Sequence, residues 1–196
     1  MTYGNKSYHP TLWRTCRVLA HEKRLACLKA VIEHPGGAVG EIAARIHTAK
    51  NQASLFLRAL QARGLIGAQR QSRWVYYAPN PDPLVTGSDR LLSALKRALV
   101  DEKRPFDEAG KTLTGFTHPR RLVVLRRLSE NPSLAFLELA AVAGISPPAL
   151  SRHLKKLSER RLVWCDADSR WRLATPPNHL AKTLLRLISE QSAANG

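Results

Sequence analysis

Two stretches of this sequence place hydrogen-bonding and cationic side chains at the start of an amphipathic segment, where they could meet base edges and phosphates. The first runs from Lys50, Asn51 and Gln52 through Ser54 to Arg58; the second runs from Ser146 and Pro147 through Ser151, Arg152 and His153 to Lys155 and Lys156. In the first, Ala53, Leu57 and Leu60 recur at i, i+4 and i+7, so a helix with those residues inward puts Asn51, Leu55 and Arg58 outward, with Gln52 and Ser54 at the edges. In the second, Leu150, Leu154 and Leu157 take the inward places. Its outward places then fall to Pro148, Arg152 and Lys155, flanked by Ala149 and Ser151. Arg152 has the donor fork that matches guanine, whereas Asn51 and Gln52 have the donor and acceptor pair that matches adenine. The two segments are therefore expected to read different half-sites.

The elements that must hold these segments repeat. At an offset of 97, His21 to Pro79 superposes without a gap on His118 to Pro176, with roughly a third of positions identical. Shared residues include Pro35 and Pro132, Glu41 and Glu138, Ala43-Ala44 and Ala140-Ala141, and the tripeptides Ser72-Arg73-Trp74 and Ser169-Arg170-Trp171. Each copy reads as three helices and a hairpin. In the first, Leu25, Leu28, Val31 and Ile32 have helical spacing until His34-Pro35-Gly36-Gly37 stops them, and a short helix follows over Glu41 to Arg45. The amphipathic segment comes next and ends at Gly64. Leu65-Ile66 and Trp74-Val75-Tyr76-Tyr77 are then expected as strands around a polar tip. The second copy follows with Leu162-Val163-Trp164 and Trp171-Arg172-Leu173, but Arg161 stands where the first has Gly64. That helix end is either strained or differently built.

Three helices and a two-stranded wing form the winged helix-turn-helix plan. The stretch Ile145-Ser146-Pro147-Pro148-Ala149-Leu150-Ser151-Arg152-His153-Leu154-Lys155-Lys156-Leu157, with His118-Pro119-Arg120-Arg121-Leu122 ahead of its first helix, closely resembles the recognition helix and entry of ArsR-type repressors. The second copy is the nearer match. The resemblance implies a mainly helical chain with small hairpin wings, a tandem duplicated winged helix-turn-helix. It also implies a transcriptional regulator that binds double-stranded DNA, a repressor acting with two non-identical recognition helices. Leu55 and Phe56, in the places of Arg152 and His153, depart from the family pattern; they could touch a thymine methyl or mark an exchange of DNA contact for protein contact. His153 lies between core and surface, as a packed or phosphate-facing residue.

Charge fits this reading. Thirty-one Lys and Arg against fifteen Asp and Glu leave +16, far beyond what solubility needs, and a polyanion is the natural partner. Up to residue 85 there are twelve basic and four acidic residues, and after it nineteen and eleven, so each part carries +8. Phosphate contact is assigned to Arg45, Lys50, Arg70, Arg73, Lys155, Lys156 and Arg170. The second wing, with Asp166 and Asp168 beside Arg170, is expected to grip phosphate less well than the first.

The domain reading places the first winged unit at residues 11–85, a connecting amphipathic helix and linker at 86–117, the second unit at 118–177 and a last amphipathic helix at 178–193. The connecting helix, over 88–104, has Leu91, Leu92, Leu95, Ala98 and Leu99 on one face, and the last has Leu180, Leu184, Leu187 and Ile188. In ArsR-like proteins the helix after the wing helps to form the dimer. The resemblance therefore implies that residues 88–104 and 178–193 could pair within one chain as a pseudo-dimer, or mediate self-association.

No Gly-rich phosphate loop and no grouping of nucleophile and base appears, so the chain is not expected to be an enzyme. Cys16, Cys27 and Cys165 show neither a C-x-x-C nor a His at ligand spacing, so no metal site and no cofactor is expected. The ligands of ArsR-type metal sensors are missing at the matching positions. The first ten residues carry no apolar leader and no stretch is long enough to span a membrane, which makes the expected location cytoplasmic, at the nucleoid. The rival reading is a tandem winged-helix scaffold of chromosome organisation or replication initiation, acting through protein contacts.

Overall fold

The computed structural model describes residues 10–193; the leader reading therefore falls, but for Pro10, outside the described residues. The first half comprises α1 (Leu12–Leu19), α2 (Glu22–Glu33), β1 (Gly37–Ala38), α3 (Val39–Arg45), α4 (Lys50–Gln61), β2 (Gly67–Gln71) and β3 (Trp74–Ala78). Chemistry at each boundary sets these limits. Pro35 offers no N–H to continue α2, and the chain turns so that the Gly36 N–H donates to the Tyr77 carbonyl at 2.8 Å, tying the helix end to the wing. The Glu41 carboxylate reaches back to accept the Ala38 N–H at 3.2 Å, satisfying a donor that the start of α3 leaves open. The three strands pair antiparallel in the order β1-β3-β2.

Between the two winged units run α5 (Ser88–Lys96) and a π-helical turn (Arg97–Asp101), which close the first half, and α6 (Phe106–Thr114), which opens the second. The second half has α7 (Pro119–Glu130), β4 (Leu134–Ala135), α8 (Phe136–Ala143), α9 (Pro147–Glu159), β5 (Val163–Cys165) and β6 (Arg170–Leu173), then α10 (His179–Ala193). Its strands run β4-β6-β5, and Glu138 accepts the Ala135 N–H at 2.8 Å as Glu41 does for Ala38.

Three expectations need correction. Leu65 and Ile66 are not strand residues; they are buried links into β2, which starts at Gly67 and runs through Gln69–Gln71 to a two-residue tip at Ser72-Arg73. The helix expected over 88–104 stays α-helical only to Lys96. There the hydrogen bonding widens, with the Glu102 N–H donating to the Arg97 carbonyl, and the helix stops. Residues 86–117 also hold a second helix, α6, and the first unit, 11–85, opens with a further helix, α1.

The gapless superposition of the two wings also fails, by three residues. Tyr77 lies opposite Gly37, but Trp171 lies opposite Leu134, the counterpart of Gly37 at the offset of 97. Trp171 therefore occupies the sheet place of Tyr77 and not that of Trp74. The cause is Asp166, whose carboxylate accepts the N–H groups of Asp168 and Arg170 and closes the second hairpin sooner.

The core is continuous from α1 to α10. Leu12, Thr15, Cys16 and Leu19 are buried on α1, and Ala109, Thr112, Leu113 and Phe116 are buried 97 positions later, at and just beyond α6. The two helices pack on each other. Leu91, Leu92, Leu95, Ala98 and Leu99 find the same four spacings in Leu180, Ala181, Leu184, Leu187 and Ile188, here at an offset of 89, and α5 packs on α10. Arg90 and Glu190 form an ion pair across that seam. Gly87, at φ +78°, lets the chain pass directly over Leu187, where any Cβ would collide. Arg121 ties α7 to the end of α6 through the carbonyls of Gly115 and Thr114, both at 2.9 Å.

The last turns of α4 and α9 close alike. Leu65 N–H donates to the Leu60 carbonyl and Leu162 N–H to that of Leu157, with left-handed residues Gly64 (φ +66°) and Arg161 (φ +54°) between. The unusual end is thus the strained one, because a side chain at that φ costs on the order of 1 kcal/mol. Arg161→Gly is expected to stabilise the fold by about 0.5–1 kcal/mol, measured as a rise in the urea midpoint at unchanged slope; a fall in the midpoint contradicts the strain.

Candidate nucleic-acid interface

α3 and α4, and α8 and α9, are each joined by a short turn, with His47 (φ +47°) and Gly144 (φ +63°) left-handed in the two turns. α4 buries Ala53, Phe56, Leu57 and Leu60. This leaves Lys50, Asn51, Gln52, Leu55 and Arg58 exposed and Ser54 half-buried, as the 3.6-residue period requires. α9 buries Ala149, Leu150, Leu154 and Leu157 and exposes Pro147, Pro148, Ser151, Arg152 and Lys155, with Ser146 exposed at its N-cap. Ala149 is therefore a core residue, 5% exposed, and not a flank of the outer face. Arg152 and Lys155 enter no hydrogen bond or ion pair among the described residues, so their charge is available to a ligand. Lys156 is half-buried, its Nζ 3.4 Å from Glu159.

Phe56 and His153 resolve into one packing role. Phe56 is 6% exposed with its ring 5.5 Å from that of His21, and the half-buried His153 ring lies 4.7 Å from that of His118. In both halves the His before α2 or α7 sets its ring at a tilt against the recognition segment. Phe56 is thus too buried to meet a thymine methyl; Leu55, 52% exposed, keeps that option. Burial pushes the His153 imidazole down to about 4, helped by His118 and by Arg121, Arg120 and Arg152. His118 is lowered by burial first, then by Arg121, Arg120 and Arg17, and its Nδ1 accepts the Arg120 N–H at 3.1 Å. His153 is therefore neutral at pH 7 and brings no charge to a phosphate.

The wings differ more than their shared tripeptide indicates. Arg70 Nε donates to the Ser72 carbonyl at 3.2 Å, within the first wing. Arg73 lies 5.5 Å over the ring of Trp74, and Lys50, at the start of α4, lies 5.8 Å over the same ring. Trp74 is 45% exposed and joins wing tip to helix, a cation–π bridge that the sequence reading missed; an aromatic residue at a two-residue basic tip was the signal. In the second wing Arg170 turns inward: Nε donates to Ser133 Oγ at 2.7 Å, and the guanidinium also reaches the Ser133 carbonyl at 3.2 Å and Glu138 at 3.1 Å. The expected phosphate contact by Arg170 is therefore withdrawn. The three-residue shift moves it from a wing tip into the sheet, opposite Ala135. Asp166 holds Arg172 at 2.6 Å, and that bond keeps its carboxyl below the usual range.

These placements separate two arginines that look equivalent in the sequence. Arg73→Ala is expected to lower the salt slope of duplex binding by about one, the signature of one lost phosphate. Arg170→Ala should leave that slope unchanged and instead lower stability by about 1–2 kcal/mol, since three hydrogen bonds around Ser133 and Glu138 disappear. Gel shifts over a salt series and a urea melt measure both; equal slope losses for the two variants contradict the assignment.

Among the described residues no group of His, Cys, Asp and Glu could hold a metal ion, and no helix is long and apolar enough to cross a membrane. Cys16 and Cys27 are buried, which raises both thiols, Cys27 to about 12; Cys165 is exposed on β5.

Residues 118–164 match the family described as "Bacterial regulatory protein, arsR family", and so form an ArsR-family helix-turn-helix domain. The chain is 28% identical over 82 residues to the HTH-type transcriptional regulator YgaV of Escherichia coli (strain K12), a match spanning 42% of this chain and 83% of that protein. Among solved structures it is similar to human N-acetylserotonin methyltransferase in complex with SAM, at 15% identity and a TM-score of 0.32. That match covers 76% of this chain and 39% of the methyltransferase.

Proposed function

We propose that the chain is a transcriptional repressor that reads double-stranded DNA with two non-identical winged helix-turn-helix units, arranged as a pseudo-dimer within one polypeptide, and that it is not an enzyme. The observation that carries this reading is the outer face of α9, inside the segment matching the ArsR family: Arg152 and Lys155 are exposed and unpartnered there beside Ser151. Duplication is supported by the recurrence of strand order, cap geometry and buried positions at the offset of 97. The pseudo-dimer is supported by the packing of α1 on α6 and of α5 on α10, where each half contributes one helix. The DNA-binding set is Lys50, Asn51, Gln52, Ser54, Arg58, Arg70 and Arg73 from the first unit, with Ser146, Pro147, Ser151, Arg152 and Lys155 from the second. Lys156 and His153 stand at its edge.

The two units divide the work. The first has a basic wing without an acidic partner, bridged through Trp74, and a helix whose centre is apolar at Leu55; the second has a cationic helix and a wing whose arginines are held by carboxylates. Phosphate grip thus comes mainly from the first and base selection mainly from the second. Selection of bound sequences from a random duplex pool tests this, with an asymmetric motif as the expected product. A scaffold acting through protein contacts is the second reading. Leu137 (70% exposed) and Val142 (44%) on α8 and Trp164 (48%) on β5 favour it, and a pool that yields no motif would select it.

A further inference from the structure

The seam between α5 and α10 contains a cleft of 390 Å³ whose walls carry Arg90, Arg97, Arg186, His179, Thr183 and Glu190. Three guanidinium groups face one carboxylate, and that carboxylate is already paired with Arg90. Arg97 is held from outside by Glu102 at 2.9 Å and comes within 3.5 Å of His179 Nδ1. Arg186 is exposed and enters no hydrogen bond or ion pair among the described residues. Ser93 completes the rim, and Ala94 and Leu187 close the bottom, themselves almost wholly buried. The volume lies within the ~300–1,000 Å³ typical of small-ligand sites, and planar donor forks on apolar stems suit an organic molecule with anionic oxygens. Neither α5 nor α10 carries a residue of the proposed DNA-binding set.

We propose that this cleft is a regulatory site for a small organic dianion, with anionic groups held by Arg186 and Arg97 and a body lying along the apolar stems of the arginines. The site inference rests on the cleft alone, and its regulatory meaning rests on the DNA-binding reading above. Because α5 belongs to one half and α10 to the other, a ligand bridging them changes how the halves are held together. It thereby shifts the spacing of the reading heads, which a duplex of fixed pitch detects.

Isothermal titration of the full-length protein with glutarate and with glycerol 3-phosphate, with sulfate as the plain-ion arm, tests the site without DNA. One organic dianion should bind with a Kd of about 1 mM or tighter. Arg186→Gln and Arg97→Gln should each weaken it by about tenfold or more, and Lys29→Gln, distant from the cleft, should not. The two probes distinguish a dicarboxylate from a phosphate ester. Sulfate binding equally well, or either arginine variant binding normally, would overturn the site. In a second arm, the bound dianion should change duplex affinity at least about fivefold. No change, with the isotherm intact, overturns the regulatory role. Loss of duplex affinity in Arg186→Gln without added dianion reassigns the arginines to DNA phosphate and also overturns it. If the protein binds no duplex at all, the functional reading fails while the isotherm still decides the site.

Discussion

Arg152→Ala is expected to weaken binding to the selected duplex by about ten- to a hundredfold, or about 1–3 kcal/mol, and to flatten base preference at one position in one half of the motif. The magnitude follows from the exposed and unpartnered state of the residue on α9. Nothing in the protein replaces its hydrogen bonds when it is removed, and no internal bond is broken in forming the complex. Arg152→Lys is the informative companion, because it keeps the charge and discards the fork. Retained affinity with lost base preference would mark Arg152 as a reader, whereas full rescue would mark it as a phosphate contact. Affinity measured on the selected site and on single-base variants at one salt concentration gives both numbers. An Arg152→Ala protein that binds within twofold of the parent would remove α9 from the interface.

The largest effect on stability is expected for Phe116→Ala, about 3–5 kcal/mol, or a fall in melting temperature of roughly 10 °C for a chain of this size. Phe116 is fully buried just after α6, 97 positions on from Leu19, the last residue of α1. Its ring is therefore part of the contact through which α1 and α6 join the two halves. If the halves form one cooperative body, as the continuous core implies, this loss should move a single transition probed by both tryptophan fluorescence and far-ultraviolet circular dichroism. Two separate transitions, with only one displaced, would mean that the halves unfold independently and that the seam contributes little. Leu19→Ala should cost a similar amount, about 2–5 kcal/mol, through the matching position.

Both expectations depend on information of different origin. The outward placing of Arg152 was legible from the period of Leu150, Leu154 and Leu157, because a helix with an apolar stripe has one orientation that keeps the stripe dry. The four helices that frame the turns and the exposed faces of α4 and α9 were legible for the same reason. Phe116 was not. α1 and α6 are short, and each shows only four inward positions, so they were absorbed into flanks and linker; the helices exist because each covers the apolar surface of the other. The fate of Arg170 was equally hidden. Its tripeptide matches Ser72-Arg73-Trp74 letter for letter, yet a three-residue change in strand pairing carries it from the tip into the sheet, opposite Ala135.

The sequence by itself determined the local and periodic features: a duplicated pattern, amphipathic helices with known outward residues, chain-stopping Pro35 and Gly64, and a surplus of positive charge in both parts. These depend on neighbours a few residues apart, and a short stretch of chain is enough to specify them. The tertiary structure decided whatever depends on residues distant in sequence: the register of each wing, the burial of Phe56, the tilted ring contact of His153 with His118, the internal capture of Arg170, and the arginine cleft between α5 and α10. A guanidinium has the same intrinsic charge everywhere in the chain. Whether it meets a carboxylate, an indole or open water depends on which strand lies beside it.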